Sequence, residues 1–347
     1  MPEFRTRLLA LLVVPLIAGC GASRTPTSIT LGATPSDSGT PGSTASASAT
    51  SAASASATSN TATICRLPLV PATGTAGFIS YPSGSFSVDP SAAIKTKANG
   101  LAYDRVFGRW LPVPWALVSS DGRQYAYGEY PDFSTYPLPD SVLHVVDVAT
   151  GSDRIVARGQ YVVSDYETEG VYLSQLVGGH DGPGPQIGSV LNVSTGAIRP
   201  LAGGAQYGYA IGGGRGWRPQ FNTADSTTHQ GPGFWSNQLF AVTLTNGSAT
   251  SWLYRPGVDT IDVIGFDRQQ NPVIDVATGN SAVILDLTGP NAATQLYSGP
   301  IGTFVAALGD GVGIWLSGQT AGTYLWPPGG PLKKISTTGG VPAGGCH

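Results

Sequence analysis

His180 stands beside Asp181 in Gly178-Gly179-His180-Asp181-Gly182-Pro183-Gly184-Pro185, a run too rich in Gly and Pro for a strand. A His next to an Asp in a loop is suited to general-base work or to ligating a metal, and an exposed turn is the alternative. The chain has four histidines: His144, His180, His229 and His347. His144 lies within an apolar run and is expected to pack, and His347 is the last residue.

The second candidate is the segment 212–236, which opens Gly212-Gly213-Gly214-Arg215-Gly216-Trp217-Arg218-Pro219 and continues through Asp225, His229 and Phe234-Trp235. It reads as the longest irregular stretch of the domain. Arg215, Trp217, Arg218 and Trp235 place charge beside aromatic faces, a pattern for a carboxylate, a sugar or a peptide. The alternative is that Trp217 and Trp235 pack beneath the loop.

Asp165, Glu167 and Glu169 fall together in one hairpin. A glycosidase needs two carboxylates at a set separation, which spacing in sequence does not supply. Gly-x-Ser-x-Gly, the P-loop, the dinucleotide glycine pattern, His-Glu-x-x-His and an Asp-rich calcium loop are all missing, so no metal or cofactor is expected. Charged residues make up 11% of the 347, the formal net charge is −3, and there is no basic patch for nucleic acid.

These residues sit among short strands. Gly (48) and Pro (27) are abundant and Met (1) is scarce, which favours β-structure with many turns. Ser141-Val142-Leu143-His144-Val145-Val146-Asp147-Val148-Ala149-Thr150-Gly151 reads as a strand entering a tight turn. Related runs place glycines at 108, 151, 196, 247, 289 and 330, roughly 40 to 50 residues apart, the period of a four-stranded propeller blade. A second hairpin precedes each, at 78–86, 116–127, 161–173, 207–217, 263–274 and 304–316. The expected fold is all-β, a single β-propeller of six four-stranded blades, with seven blades or a β-sandwich as alternatives.

Ser119-Ser120-Asp121-Gly122-Arg123-Gln124-Tyr125-Ala126-Tyr127, followed by Leu143 to Gly151, resembles the WD40-like repeat of TolB-type β-propellers. Ser120 stands where that pattern has Pro, and the likeness is strong over one blade. It implies the propeller and no particular activity.

At the N-terminus Arg5 and Arg7 precede an apolar run, residues 8–18, that is too short to span a membrane. The run ends in Ile17-Ala18-Gly19-Cys20, which resembles the bacterial lipobox and implies lipidation of Cys20. Residues 1–19 are therefore expected to be a lipoprotein signal peptide. Residues 20–62, rich in Ser, Thr and Ala, are expected to form a disordered tether with a mean span of roughly 35 Å.

Residues 63–347 are expected to be the propeller. Its two ends must meet, and export places Cys65 and Cys346 in an oxidising compartment, so they are expected to form a disulfide, with two free thiols as the alternative. The combined expectation is a monomeric, lipid-anchored module on the extracytoplasmic face of the cell membrane, binding a protein, peptide or glycan. The alternative is a propeller lyase or glycoside hydrolase using His180 or His229 with an acid at the channel mouth.

Overall fold

A computed structural model describes residues 64–130, 139–175, 186–202, 206–207, 210–222 and 236–347. The expected turn chemistry is visible at its best-formed copies. Asp147 accepts hydrogen bonds from the Thr150 N–H and hydroxyl, both at 2.8 Å. The chain closes with Gly151 N–H donating to the Asp147 carbonyl (2.8 Å), and Gly151 has φ +71°. Asn192 does the same for Ser194 and Thr195. A short acceptor at the start of the turn and a residue of positive φ at its end make this hairpin locally favourable. Gly289 departs from the expectation, because Asn291 takes the positive φ (+57°) in that hairpin.

The first strands are β1 (Cys65–Pro71), β2 (Gly77–Tyr81), β3 (Phe86–Val88), β4 (Ala102–Asp104) and β5 (Arg109–Leu111). Next come β6 (Gln124–Glu129), β7 (Ser141–Asp147) and β8 (Asp153–Gly159), an antiparallel meander whose inner side is extended by a Val118–Tyr125 bridge. The following sheet is β9 (Tyr161–Glu167), β10 (Gly170–Gln175), β11 (Gln186–Leu191) and β12 (Ile198–Pro200), with β13 (Gln206–Tyr207) also pairing to β11. Another four-stranded meander is β14 (Ala210–Gly212), β15 (Arg215–Gln220), β16 (Gln238–Thr243) and β17 (Ala249–Tyr254).

Two further meanders follow. One is β18 (Thr260–Phe266), β19 (Pro272–Thr278), β20 (Ser281–Gly289) and β21 (Ala292–Pro300). The other is β22 (Ala306–Gly309), β23 (Ile314–Gly318), β24 (Gly322–Trp326) and β25 (Lys333–Ser336). Their first strands pair in parallel, Gly265 with Ala307 and Phe266 with Leu308. This is the relation of neighbouring inner strands about a propeller axis. A Cβ at Gly265 would collide with the Ala307 carbonyl oxygen, so glycine permits the approach.

The ring closes where the chain ends meet. β26 (Gly340–Pro342) pairs with β1, giving the order β26-β1-β2-β3. The Cys65–Cys346 disulfide lies beside that seam, with Cα atoms 5.5 Å apart. Here the observed blade differs from the expected one. Residues 102–111 were expected to form the outer hairpin of the first unit, but β4 and β5 form a two-stranded sheet of their own. The reason is local. Asp89 caps a 3-10 turn at Pro90–Ala92, and the proline turns the chain out of the sheet after three residues of β3.

The β4–β5 hairpin acts as a wedge. Ala102 and Leu111 join the core of the β6–β8 sheet, while Tyr103 and Trp110 pack with Phe78 and Ala343. The described residues therefore show six sheets or meanders of three to five strands and one two-stranded wedge.

Candidate functional site

The inner strands enclose an axial channel of about 620 Å³. Its wall takes residues from β26, the segment around Trp115 and Val118, β9, β14, β18 and β22, with residues 99–101 ahead of the wedge. Most of that wall is aliphatic or aromatic: Leu101, Trp115, Val118, Ile211, Ile264, Phe266 and Leu308. β9 is different. It presents Asp165 and Glu167, two residues apart and so on one side of the strand.

Burial pushes the Asp165 carboxyl well above the usual range, and Glu167 beside it adds to the shift. One Asp165 oxygen accepts the Tyr166 N–H at 2.8 Å, which opposes that rise. Burial, then the Glu169 charge, also raises Glu167. Among the described residues that line the channel there is no Lys, Arg or His.

A second cavity, about 430 Å³, opens on the same side and shares Ser119, Ser120, Tyr166 and Glu167 with the channel. It forms a polar mouth whose other groups include Asp121, Gln124, Thr168, Glu169 and Asn192. Asp121 is held low by the Arg123 N–H (3.0 Å) and the Ser119 hydroxyl (2.7 Å). The Tyr166 hydroxyl donates to Gln124 Oε1 at 2.6 Å, and burial lifts its pKa to about 12.

The residues singled out in the sequence do not converge on this mouth. His180, Asp181, His229, Trp235 and Cys20 lie outside the described residues. Residues 210–220 form the regular β14–β15 hairpin, in line with the hairpin expected over 207–217 and in place of the irregular chain expected from 212 onward. Trp217 is 1% exposed and its Nε1 donates to the Gly212 carbonyl at 3.3 Å. Its indole is therefore core and not a surface platform for a ligand. Arg215 lies over the Trp252 ring (5.4 Å) and Arg218 over the Phe240 ring (5.3 Å). Alternation along β15 sends these two arginines to opposite faces of the sheet.

His144 does pack, but within a polar network that the sequence does not announce. Its Nδ1 is 2.8 Å from Asp153 Oδ1, and the Tyr127 hydroxyl donates to Asp153 Oδ2 at 2.6 Å. Tyr127 and His144 stack with centroids 4.6 Å apart, and Lys97 Nζ donates to the Tyr127 hydroxyl at 3.3 Å. Burial alone would raise Asp153, but the bonds from Tyr127 and His144 more than offset it and hold the carboxyl below its usual value. The residues meet through register across three strands, and they line neither cavity.

Asp286 is a buried carboxylate of another kind. It is 6% exposed, and its Oδ1 has no hydrogen-bond partner. Burial, then the nearby Asp267 charge, raises its pKa to about 6. The folded chain then holds a proton that the unfolded chain, with a pKa near 4, has lost. The associated stability is complete below about pH 4 and is lost as pH rises through about 6. Asp286→Asn is expected to raise stability at pH 7.5 by about 2 kcal/mol and to flatten the profile between pH 4 and 6. Denaturant melts across that range check it, and an unchanged slope contradicts it.

No family model matches the chain, and no curated protein sequence matches it. Among solved structures, an acylaminoacyl peptidase in complex with Z-Gly-Gly-Phe-chloromethyl ketone is 11% identical (TM-score 0.43) and covers 75% of this chain, which spans 41% of the peptidase. TolB from Acinetobacter baumannii is 13% identical (TM-score 0.36), covering 79% of this chain and 65% of its own. An oligogalacturonate lyase from Vibrio parahaemolyticus is 12% identical (TM-score 0.36), covering 75% and 70%. The propeller assignment rests on the arrangement of the sheets: inner strands about a channel, and a ring closed by pairing the two chain ends.

Proposed function

We propose that the chain is a lipid-anchored, extracytoplasmic binding or scaffold module, and that it receives a protein, peptide or glycan partner at the channel mouth. The observation that carries this reading is the mouth itself. It is a concave, polar surface built from turns of adjacent sheets, with hydroxyls, carboxamides and the Glu169 carboxylate turned toward it. The lipobox-like Ile17-Ala18-Gly19-Cys20 and the Cys65–Cys346 disulfide support an exported, surface-held chain.

The test is capture of partners by the tagged chain from intact cell surface. Two exposed mouth positions, Ser120 and Glu169, are changed in turn. Ser120→Trp, which fills the mouth, and Glu169→Arg, which reverses its charge, are expected to cut partner recovery at least tenfold. Arg215→Ala, on another sheet, is expected to leave recovery unchanged. Equal recovery by all four chains rules the mouth out as the binding surface.

A further inference from the structure

We infer that the axial channel is a binding site for a small apolar molecule bearing a single amine, its body against Trp115, Ile264 and Phe266 and its cation at Asp165 and Glu167. This ligand is distinct from a partner held at the mouth, and neither reading depends on the other.

Three features of the channel carry the inference. Its volume, about 620 Å³, lies within the range of small-molecule sites, roughly 300–1,000 Å³. Its wall combines a broad apolar part, the neutral polar groups of Asn99, Ser119, Ser120 and Gln270, and one strand, β9, that contributes both carboxylates. Finally, no lining Lys, Arg or His answers those carboxylates among the described residues.

Two carboxyl groups so placed disfavour their own ionised forms, because each loses water and each faces a neighbouring carboxylate, Glu167 for Asp165 and Glu169 for Glu167. A cation between them reverses both penalties. Aromatic rings at Trp115 and Phe266 in the channel wall add favourable sites for the same charge. An anion meets repulsion. A polyhydroxylated ligand leaves the broad apolar wall unmatched. A tightly held metal ion is a poorer fit, since the described residues contain no cluster of three or more His, Cys, Asp or Glu side chains able to ligate one. The shared lining at Ser119, Ser120, Tyr166 and Glu167 gives the ligand its way in from the mouth.

The experiment is calorimetric titration of the full chain at pH 7.5 with 2-phenylethylamine, its neutral isostere 2-phenylethanol, and 3-phenylpropionate. The amine is expected to bind at least tenfold more tightly than the alcohol, and the acid not at all. Asp165→Asn with Glu167→Gln, introduced together into a chain whose circular dichroism matches wild type, is expected to bring amine and alcohol within threefold of each other. Ile264→Trp, which fills the apolar part while keeping both carboxylates, is expected to weaken both ligands at least tenfold. The inference is overturned by equal binding of amine and alcohol, by an absence of binding, by an amine preference that survives the double change, or by Ile264→Trp leaving the amine unaffected.

Discussion

Opening the Cys65–Cys346 disulfide is expected to cost the folded chain up to roughly 5–6 kcal/mol, the largest effect of any single change considered. The bond closes a loop of 281 residues, almost the whole propeller. The chain-entropy model makes the loss grow with the logarithm of loop length, and residual structure in the reduced chain brings the measured value below that ceiling. The rest of the seam is backbone pairing and side-chain packing, with Leu67 and Leu69 of β1 in one core with Trp315 and Leu325. β26 contributes three paired residues to β1, and Arg66 and His347 exchange backbone hydrogen bonds at 2.9 and 3.2 Å. Once the bond is open, the ends are still joined by these pairs, by the Ala343–Pro68 and Ala72–Gly339 backbone bonds, and by the His347 ring stacked on Tyr103. Set against a total stability of about 5–15 kcal/mol, a loss near that ceiling removes between about a third and all of it. Cys65→Ser and Cys346→Ser should each match the reduced wild type in urea denaturation, because each removes the same crosslink. A reduced chain within about 1 kcal/mol of the oxidised one shows that the strands close the ring without help.

The seam shows which parts of this fold were legible in the sequence. The disulfide followed from two ends that must meet in a ring. The hairpin turns followed from local chemistry, since Asp147, Thr150 and Gly151 specify their turn within five residues. Blade membership is non-local and was misread at residues 102–111, because nothing near Ala102 says that β26, more than two hundred residues later, completes the first sheet. The same limit applies to the site. Asp165 and Glu167 stood out as a cluster, and their spacing puts them on one side of a strand. That this side faces the channel depends on how β9 packs among four other inner strands and the segment around Trp115 and Val118. His144 was legible as packed, but its bond to Asp153 depends on a register shift in the β7–β8 pair that no local pattern encodes.

Trp217→Ala is expected to destabilise the fold by about 3–5 kcal/mol, and Arg215→Ala by less than about 1 kcal/mol. Both residues lie in a glycine-rich run that reads as a loop with an aromatic–cation pair, yet the strand separates their roles. Trp217 is 1% exposed and packs edge-on against Trp252 at 4.6 Å, in a core that includes Leu239, Leu253, Ile261 and Leu287. Truncation leaves a cavity between the β14–β17 and β18–β21 sheets and strips the Gly212 carbonyl of its indole donor. Arg215 is exposed and rests its guanidinium over Trp252, an interaction that water screens. Urea denaturation of the two variants separates these roles directly. Trp217→Phe, which keeps most of the packing and loses the Nε1 bond, should fall between them at about 1–2 kcal/mol. If Trp217→Ala unfolds within 1 kcal/mol of wild type, the indole is not core, and a surface role for it returns. If the expected order holds, loss of a binding partner in Trp217→Ala reports the unfolding of a blade and carries no information about recognition.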